Sequence, residues 1–362
     1  MVDASRAPQV IEHASVSLGL TPYDARWVPF SARLVMMGMM PRGTGVLRVY
    51  QFNRGDLQTT SEVVEFPNGF KCGTFGASHA EQRTLATGDF GGHLCTWDVD
   101  TLSASSRPVF KAGNAHQGLV NCIDGIGGLC QGHGAPELVT GGRDGAVRVW
   151  DVRQAQPVAS LVPNAASQAR DCWTVAFGGS YNDDERCVCA GYDNGDIKLL
   201  DLRANKVRWE TNIKNGVVSM QFDRADIPMN KLVVTTLESR FRVYDMRTMN
   251  SDAGYAFLSE KAHNSTVWIA RHLPQNRDLF ATGGGNGTLN LYQYAYPEKR
   301  RIKNEFGQDQ GVAGTVTCLN KRKVADQPIV SLDWNASKLG LSVLTALDQT
   351  MKIVIVTKLD QF

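Results

Sequence analysis

The sequence predicts an all-β fold: a seven-bladed β-propeller, closed into a ring by its N-terminal strand pairing with the last blade. Three observations predict it. An eight-residue pattern recurs seven times along the 362 residues. Successive copies lie 44 to 62 residues apart, the period of a four-stranded blade. Helical patterns of three or more turns are absent, which argues against α/β alternatives.

The template is Asp144-Gly145-Ala146-Val147-Arg148-Val149-Trp150-Asp151. Six gapless copies begin at Thr44, Gly91, Asn194, Glu238, Asn286 and Asp348. Their bulky position falls at Tyr50, Trp97, Leu200, Tyr244, Tyr292 and Val354. Apolar and polar residues alternate before it, the period of a strand. An Asn-Gly or Asp-Gly turn often precedes it, a strong hairpin signal. Upstream of each turn stands a second strand, as in "ELVTG", "TLATG" and "CVCAG"; upstream again a third, as in "CWTVAFG" and "IVSLDW". A fourth follows the bulky residue, as in "QPVASLV". The expected blades span residues 15–60, 61–110, 111–163, 164–211, 212–258, 259–324 and 325–362, the last completed by 8–14. One blade buries only one face and needs neighbours, so the ring must close. The last copy ends at "MKIVIVTKLDQF" with nothing left for its outer strand. The strand-like "PQVIEHA" at 8–14 is expected to supply it. The polar, basic insertion 296–311 is expected to be disordered.

Composition narrows the function. There are 38 basic and 36 acidic residues, a net charge of +2, which gives no electrostatic footprint for nucleic acid. No 18-residue apolar run predicts a membrane span, and "MVDASRAPQV" lacks the apolar centre of a secretory signal. The eight scattered cysteines read as reduced thiols of a cytoplasmic protein. Cys187 and Cys189 share one face of a strand. Asn264, Asn286 and Asn335 head glycosylation-type triplets but read more simply as turn residues.

Several residues imitate catalytic or metal chemistry. His13, His116 and His263 precede innermost strands, and Asp144 and Asp348 sit in the turns, with Asn194 and Asn286 in the same place. In a WD-type blade such a His and Asp tie the turn to a strand hydroxyl and the Trp, so the structural role outweighs a hydrolase triad. No G-x-S-x-G elbow is present. "GIGG" (125–128) and "GGGNG" (283–287) lack the dinucleotide and P-loop spacings and read as turns. Cys122, Cys130 and His133 match no zinc spacing. No cofactor is expected.

Three features point to partners instead. Asp-x-Arg follows the bulky position in three successive blades, placing Arg153, Arg203 and Arg247. Such strings resemble the box by which some WD-repeat proteins dock on a cullin-type ubiquitin-ligase adaptor; an arginine bonding within its own blade is the favoured reading. Aromatics stand where the innermost strands begin: Tyr23, Trp173 and Trp268. With Phe90, Arg143 and Tyr192 they form an expected partner patch, since Trp and Tyr are enriched in binding hot spots; packing between neighbouring blades is the equal alternative for the three entry aromatics. Lys299, Arg300, Arg301 and Lys303 of the insertion form a second, suited to an acidic segment.

The strings "CGTFGAS", "LATGDFGG", "IDGIGG", "GAPELVTGGRDG", "RDCWTVAFG", "CAGYDNGDIKL", "RWETNIKNGV", "EKAHNSTVW" and "RHLPQNR" go beyond a generic repeat. From about residue 8 onward they resemble, in order, the Monad family of WD-repeat dynein axonemal assembly factors. The resemblance implies a seven-bladed, non-enzymatic cytoplasmic adaptor acting in preassembly of axonemal dynein arms, with an association with apoptosis. It implies TPR-containing co-chaperones, RuvB-like ATPases and prefoldin-like subunits as partners and dynein heavy chains as clients. A monomer without nucleic acid or membrane is expected. The ubiquitin-ligase receptor is the alternative. Leu200 and Val354 depart from the family's repeat, where the Trp is lost.

Overall fold

The computed structural model describes residues 7–78, 82–128, 134–164 and 169–362. Strand β1 (Val10–Ser17) opens the chain. Blade one is β2 to β5 (Thr21–Trp27, Arg33–Met39, Gly45–Asn53, Asp56–Phe66). Blade two is β6 to β9 (Phe70–Thr74, Thr84–Asp89, Leu94–Asp98, Phe110–Ala112). Blade three is β10 to β13 (Val120–Ile126, Glu137–Gly142, Val147–Trp150, Ala159–Leu161). Blade four is β14 to β17 (Cys172–Gly178, Cys187–Tyr192, Asp196–Asp201, Lys206–Asn212). Blade five is β18 to β21 (Val217–Phe222, Lys231–Thr236, Arg240–Asp245, Phe257–Lys261). Blade six takes β22 to β24 (Val267–Leu273, Asn276–Gly284, Thr288–Ala295) and β27 (Thr315–Lys323). Between them β25 (Arg301–Lys303) and β26 (Asp309–Gly311) form a separate hairpin. Blade seven is β28 to β30 (Ile329–Trp334, Leu341–Ala346, Thr350–Val356) with β1 as its outer strand.

All seven blades are antiparallel four-stranded sheets. Each innermost strand neighbours those of the blades on either side, and the circuit closes between β28 and β2. β1 runs antiparallel to β30 from Val10↔Val356 to Ser17↔Thr350, so the N-terminal strand closes the ring as the sequence predicts.

The repeat pattern explains where the core sits. Among the described residues the buried apolar side chains fall into seven clusters, one per seam between adjacent blades. Because successive strand residues face opposite ways, the bulky residue and the one before it enter different seams. Tyr50, Trp97, Trp150, Leu200, Tyr244, Tyr292 and Val354 all bury against the preceding blade. Val49, Val149, Leu199, Val243, Leu291 and Ile353 bury against the following one. Each blade thus glues two seams, and Leu and Val replace Trp without opening either. Cys187 and Cys189 enter one seam together, and the cysteines of the described residues are all free thiols.

Four expectations change. His13 lies in β1, with its ring against Phe52 at 5.6 Å, not before an innermost strand. The insertion is ordered: Arg300 reaches Asp245 at 3.3 Å and Asn230 at 2.9 Å, and Arg301 donates to the Arg247 carbonyl at 2.8 Å. Those partners lie far back in sequence, so its composition alone concealed them. Gly125 belongs to β10 rather than a turn; a Cβ there would stand 2.7 Å from the Ala77 nitrogen. Gly283 and Gly284 likewise end β23, leaving the turn to Gly285–Gly287. Cys130 and His133 fall outside the described residues.

Candidate functional site: the channel mouth

In every blade the innermost strand slips register against its neighbour near its start, and in blade six it slips again between His272 and Leu273. The bulged residues are Tyr23, Lys71, Asn121, Trp173, Val218, Trp268 and Val330. A β-bulge re-aims its side chain and unpairs its backbone. Repeated around the ring, it turns one side chain per blade toward the axis. All seven line a single cavity of about 380 Å³ at one mouth of the central channel, together with Leu237 and Leu347. Lys71 Nζ lies 4.8 Å from the centre of the Tyr23 ring, a cation–π contact, and burial lowers its amine below the usual lysine range.

Three residues further along, the same strands place Arg26, Thr74, Asp124, Ala176, Gln221, Arg271 and Asp333 around the far part of the channel. Innermost strands of adjacent blades do not pair, so side chains staple them. Phe177 donates its N–H to Asp124 at 2.9 Å, Trp27 to Asp333 at 2.8 Å, and His272 to Gln221 at 2.7 Å. Asp24 accepts from the Ser331 hydroxyl at 2.6 Å, from Gly73 N–H at 3.0 Å and from Arg26 at 3.1 Å. Burial pushes the Asp124 and Asp333 carboxyls up, and their amide bonds pull back. Burial, with repulsion from Arg26, lowers the Arg271 guanidinium to about 10.

The structure brings only part of the predicted patch together. Tyr23, Trp173 and Trp268 belong to the ring. Phe90 backs Tyr23, ring centres 5.1 Å apart. Arg143 is exposed in the turn after β11 and does not line the mouth cavity. Tyr192 is buried between blades and offers no surface. Sequence reasoning missed Lys71, Asn121, Val218 and Val330, a lysine, an asparagine and two valines with no common chemistry; only aligning the innermost strands would have found them. It also missed Lys231, fully buried beside Asp223 at 3.3 Å and Asp278 at 2.5 Å, with the Tyr296 hydroxyl as a further partner.

The other predicted residues stay at the surface, most of them engaged by neighbours in this chain. Arg153 folds back onto the carboxylate of its own Asp151, with Nη2 at 2.6 Å, and this holds that acid at about 2. Arg247 donates to the Pro228 carbonyl at 3.3 Å, while Arg203 is exposed. In the insertion, Arg300 and Arg301 root the hairpin, Lys303 pairs across it with Asp309 at 2.8 Å, and Lys299 is exposed.

Residues 108–151 match the family model described as "WD domain, G-beta repeat". The chain is 55% identical over 98% of its length, and 98% of the relative's, to a dynein axonemal assembly factor 10 of Xenopus laevis. The like-named human protein is 54% identical over 99% of this chain and 100% of its own. The one from Chlamydomonas reinhardtii is 51% identical over the same shares. The chain belongs to the dynein axonemal assembly factor 10 family. Within this family member, the stretch that matches the repeat model runs from the last strand of blade two through the first three strands of blade three, and it holds a complete polar relay. Trp150 Nε1–H donates to Thr140 Oγ1 at 2.9 Å, Thr140 meets His116 Nε2 at 2.7 Å, and His116 Nδ1 meets Asp144 at 2.8 Å. Blade six keeps His263 on Thr282 at 2.8 Å but routes its other nitrogen through Thr288 to Asn286. Each His faces the sheet interior with its bonds spent, so the relay ties a turn to a strand.

Proposed function

We propose that this protein is a non-enzymatic scaffold that links clients to TPR-containing, RuvB-like and prefoldin-like co-chaperone machinery for cytoplasmic preassembly of axonemal dynein arms. Full-length identity above one half to proteins named dynein axonemal assembly factor supports the assembly role. The observation that carries the binding reading is the ring of seven bulged residues. It gathers one side chain per blade, three of them aromatic, around one concave mouth. A rigid closed ring suits a platform: the ordering cost of binding falls on the partner. The hairpin is the second proposed surface, where Lys299 is exposed and Phe306 stands 84% exposed at the tip. The ubiquitin-ligase reading draws less support, because Arg153 is held by Asp151.

The test is recovery on tagged protein from ciliated cells during flagellar regrowth. Co-chaperone subunits and dynein heavy chains are the expected catch. Trp173→Ala with Trp268→Ala should cut it about tenfold or more, as hot-spot tryptophans do. Both side chains are half-buried at the rim, so melting should move little. Undiminished recovery, or collapse of the melting transition, would overturn the reading.

A further inference from the structure

The channel's carboxylates are spent, while two of the three cations that line its mouth, Lys71 and Arg271, are not. Asp124 and Asp333 are turned onto backbone amides of the next blade, and Asp24 holds Ser331, Gly73 and Arg26. Arg26 in turn has Asp24 at 3.1 Å and Asp333 at 3.6 Å. Arg271 differs. Its guanidinium donates to the Ala270 carbonyl at 3.0 Å, and among the described residues no carboxylate lies within ion-pair distance. It borders the channel cavities at both ends. Lys71 rests on the Tyr23 ring and likewise makes no ion pair among the described residues.

The two ends of the channel also differ in charge. The mouth cavity is lined by Arg26, Lys71 and Arg271 against Asp24 alone. The far end sets Arg26, Arg224 and Arg271 against Asp124, Asp223, Asp226 and Asp333. An anion is drawn to the mouth and turned away from the far end. An arginine in a narrow, low-dielectric channel gains most from a carboxylate that meets its fork. The rest of the lining is uncharged; its rim is largely apolar or aromatic, with Trp173, Trp268, Val218, Val330, Leu237 and Leu347, and Asn121 is the rim's polar member.

We propose that the mouth takes up one Asp or Glu side chain of an extended partner segment, with Arg271 and Lys71 as counter-charges and the rim packing apolar residues on either side. This deepens the reading above and rests on it. A complete rim of bulged side chains receives chain on both sides of the inserted acid, whereas a chain end would use only part of it.

The probes are short labelled peptides, acetylated and amidated, with Leu-Glu-Leu at the centre, their Leu-Gln-Leu counterparts, and an unamidated peptide whose only carboxylate is its C-terminus. Binding is read by fluorescence anisotropy on the full chain. The Glu peptide should bind at least about tenfold tighter than the Gln peptide. Arg271→Gln should erase that preference and Arg271→Lys keep most of it. A single unchanged melting transition certifies each variant; if Arg271→Gln fails to fold, Lys71→Gln carries the same expectation. Equal binding of Glu and Gln peptides, no binding up to ~1 mM, or a Glu preference that survives Arg271→Gln would overturn the proposal. Binding of the free-C-terminus peptide alone would replace its occupant. Should the Trp173/Trp268 double variant lose cellular partners while peptides show no acid preference, the mouth reading stands and this one falls.

Discussion

His272 shows how one residue can set the acid limit of the whole ring. Four residues past each bulge stand Trp27, Phe75, Gly125, Phe177, Phe222, His272 and Trp334, an aromatic column broken by Gly125 and by this histidine. His272 is buried, its ring 5.7 Å from Phe280, and neither ring nitrogen has a hydrogen-bond partner among the described residues. Burial pushes the imidazole down to about 4; Asp223 and Asp278 pull it up, and Lys231 and Arg271 press it further down. The unfolded chain takes the proton near the ordinary ~6.5 and the folded one resists it. The stability this His allows is therefore complete above about 6.5 and is lost as pH falls toward 4, by about 3 kcal/mol at the limit. His263, also held at about 4 by burial, adds a second loss of the same sign. His272→Phe should leave melting at pH 7 equal or higher and remove about half of the drop between pH 7 and pH 4.5. Parallel pH–melting curves for variant and parent would refute that. Tyr23, Trp173 and Trp268, four residues before members of this column, were legible in sequence as aromatics where innermost strands begin. The rest of the ring was not, because Lys71, Asn121, Val218 and Val330 are ordinary strand residues set apart only by register.

At the level of elements, β1 was legible by subtraction: six complete blades left the seventh short of one strand. Two interactions compete to explain its hold on β30. Lys352 pairs with Glu12 at 2.9 Å on the surface. Val10 is 2% exposed and packs with Ile329, Val354 and Val356. An exposed ion pair contributes about 0–1 kcal/mol, whereas a fully buried Val is worth about 1.5–3 kcal/mol. The apolar anchor should dominate. Glu12→Gln is expected to move melting within error, and Val10→Asp, which buries a charge among apolar groups, to lower stability by about 3 kcal/mol or more. Denaturant titration of the two variants decides; equal losses would mean that the strand is held by charge. The hairpin at 301–311 was misread for a complementary reason. Its composition is that of a solvated arm, and what orders it, Asp245 and Asn230 under Arg300, belongs to another blade. Local pattern reports strands that repeat; it is silent on a single excursion docked by long-range pairs.

Over the whole molecule, a closed ring of seven similar seams has no weakest blade unless the chain is cut to make one. In the native connectivity the circuit is sealed at blade seven, where β1 and β30 come from opposite ends of the chain. The seam between blades seven and one has its own apolar cluster, from Leu18 and Trp27 to Met351 and Ile353. Opening the ring there means separating an apolar seam and stripping a strand in one event. A circular permutant isolates the strand's share. With the old ends joined and new ones placed between Phe66 and Phe70, every blade becomes continuous in sequence. The seam between blades one and two, built on Val35, Phe70 and Trp97, is then held by packing and by side-chain bonds such as Asp24 to the Gly73 N–H, with no strand shared across it. A second permutant, opened inside blade one between β4 and β5, leaves an outer strand to be supplied from the far end, as in the native ring. Both bury nearly the same apolar area, so equilibrium stability should differ little. Unfolding should differ more, since only the first lets blades part without breaking a strand pair. The expected result is an unfolding rate at least about tenfold faster for the first permutant than for the second, extrapolated from denaturant jumps. Equal rates would mean that the apolar seams alone close the ring and that the straddling strand adds nothing to its lifetime.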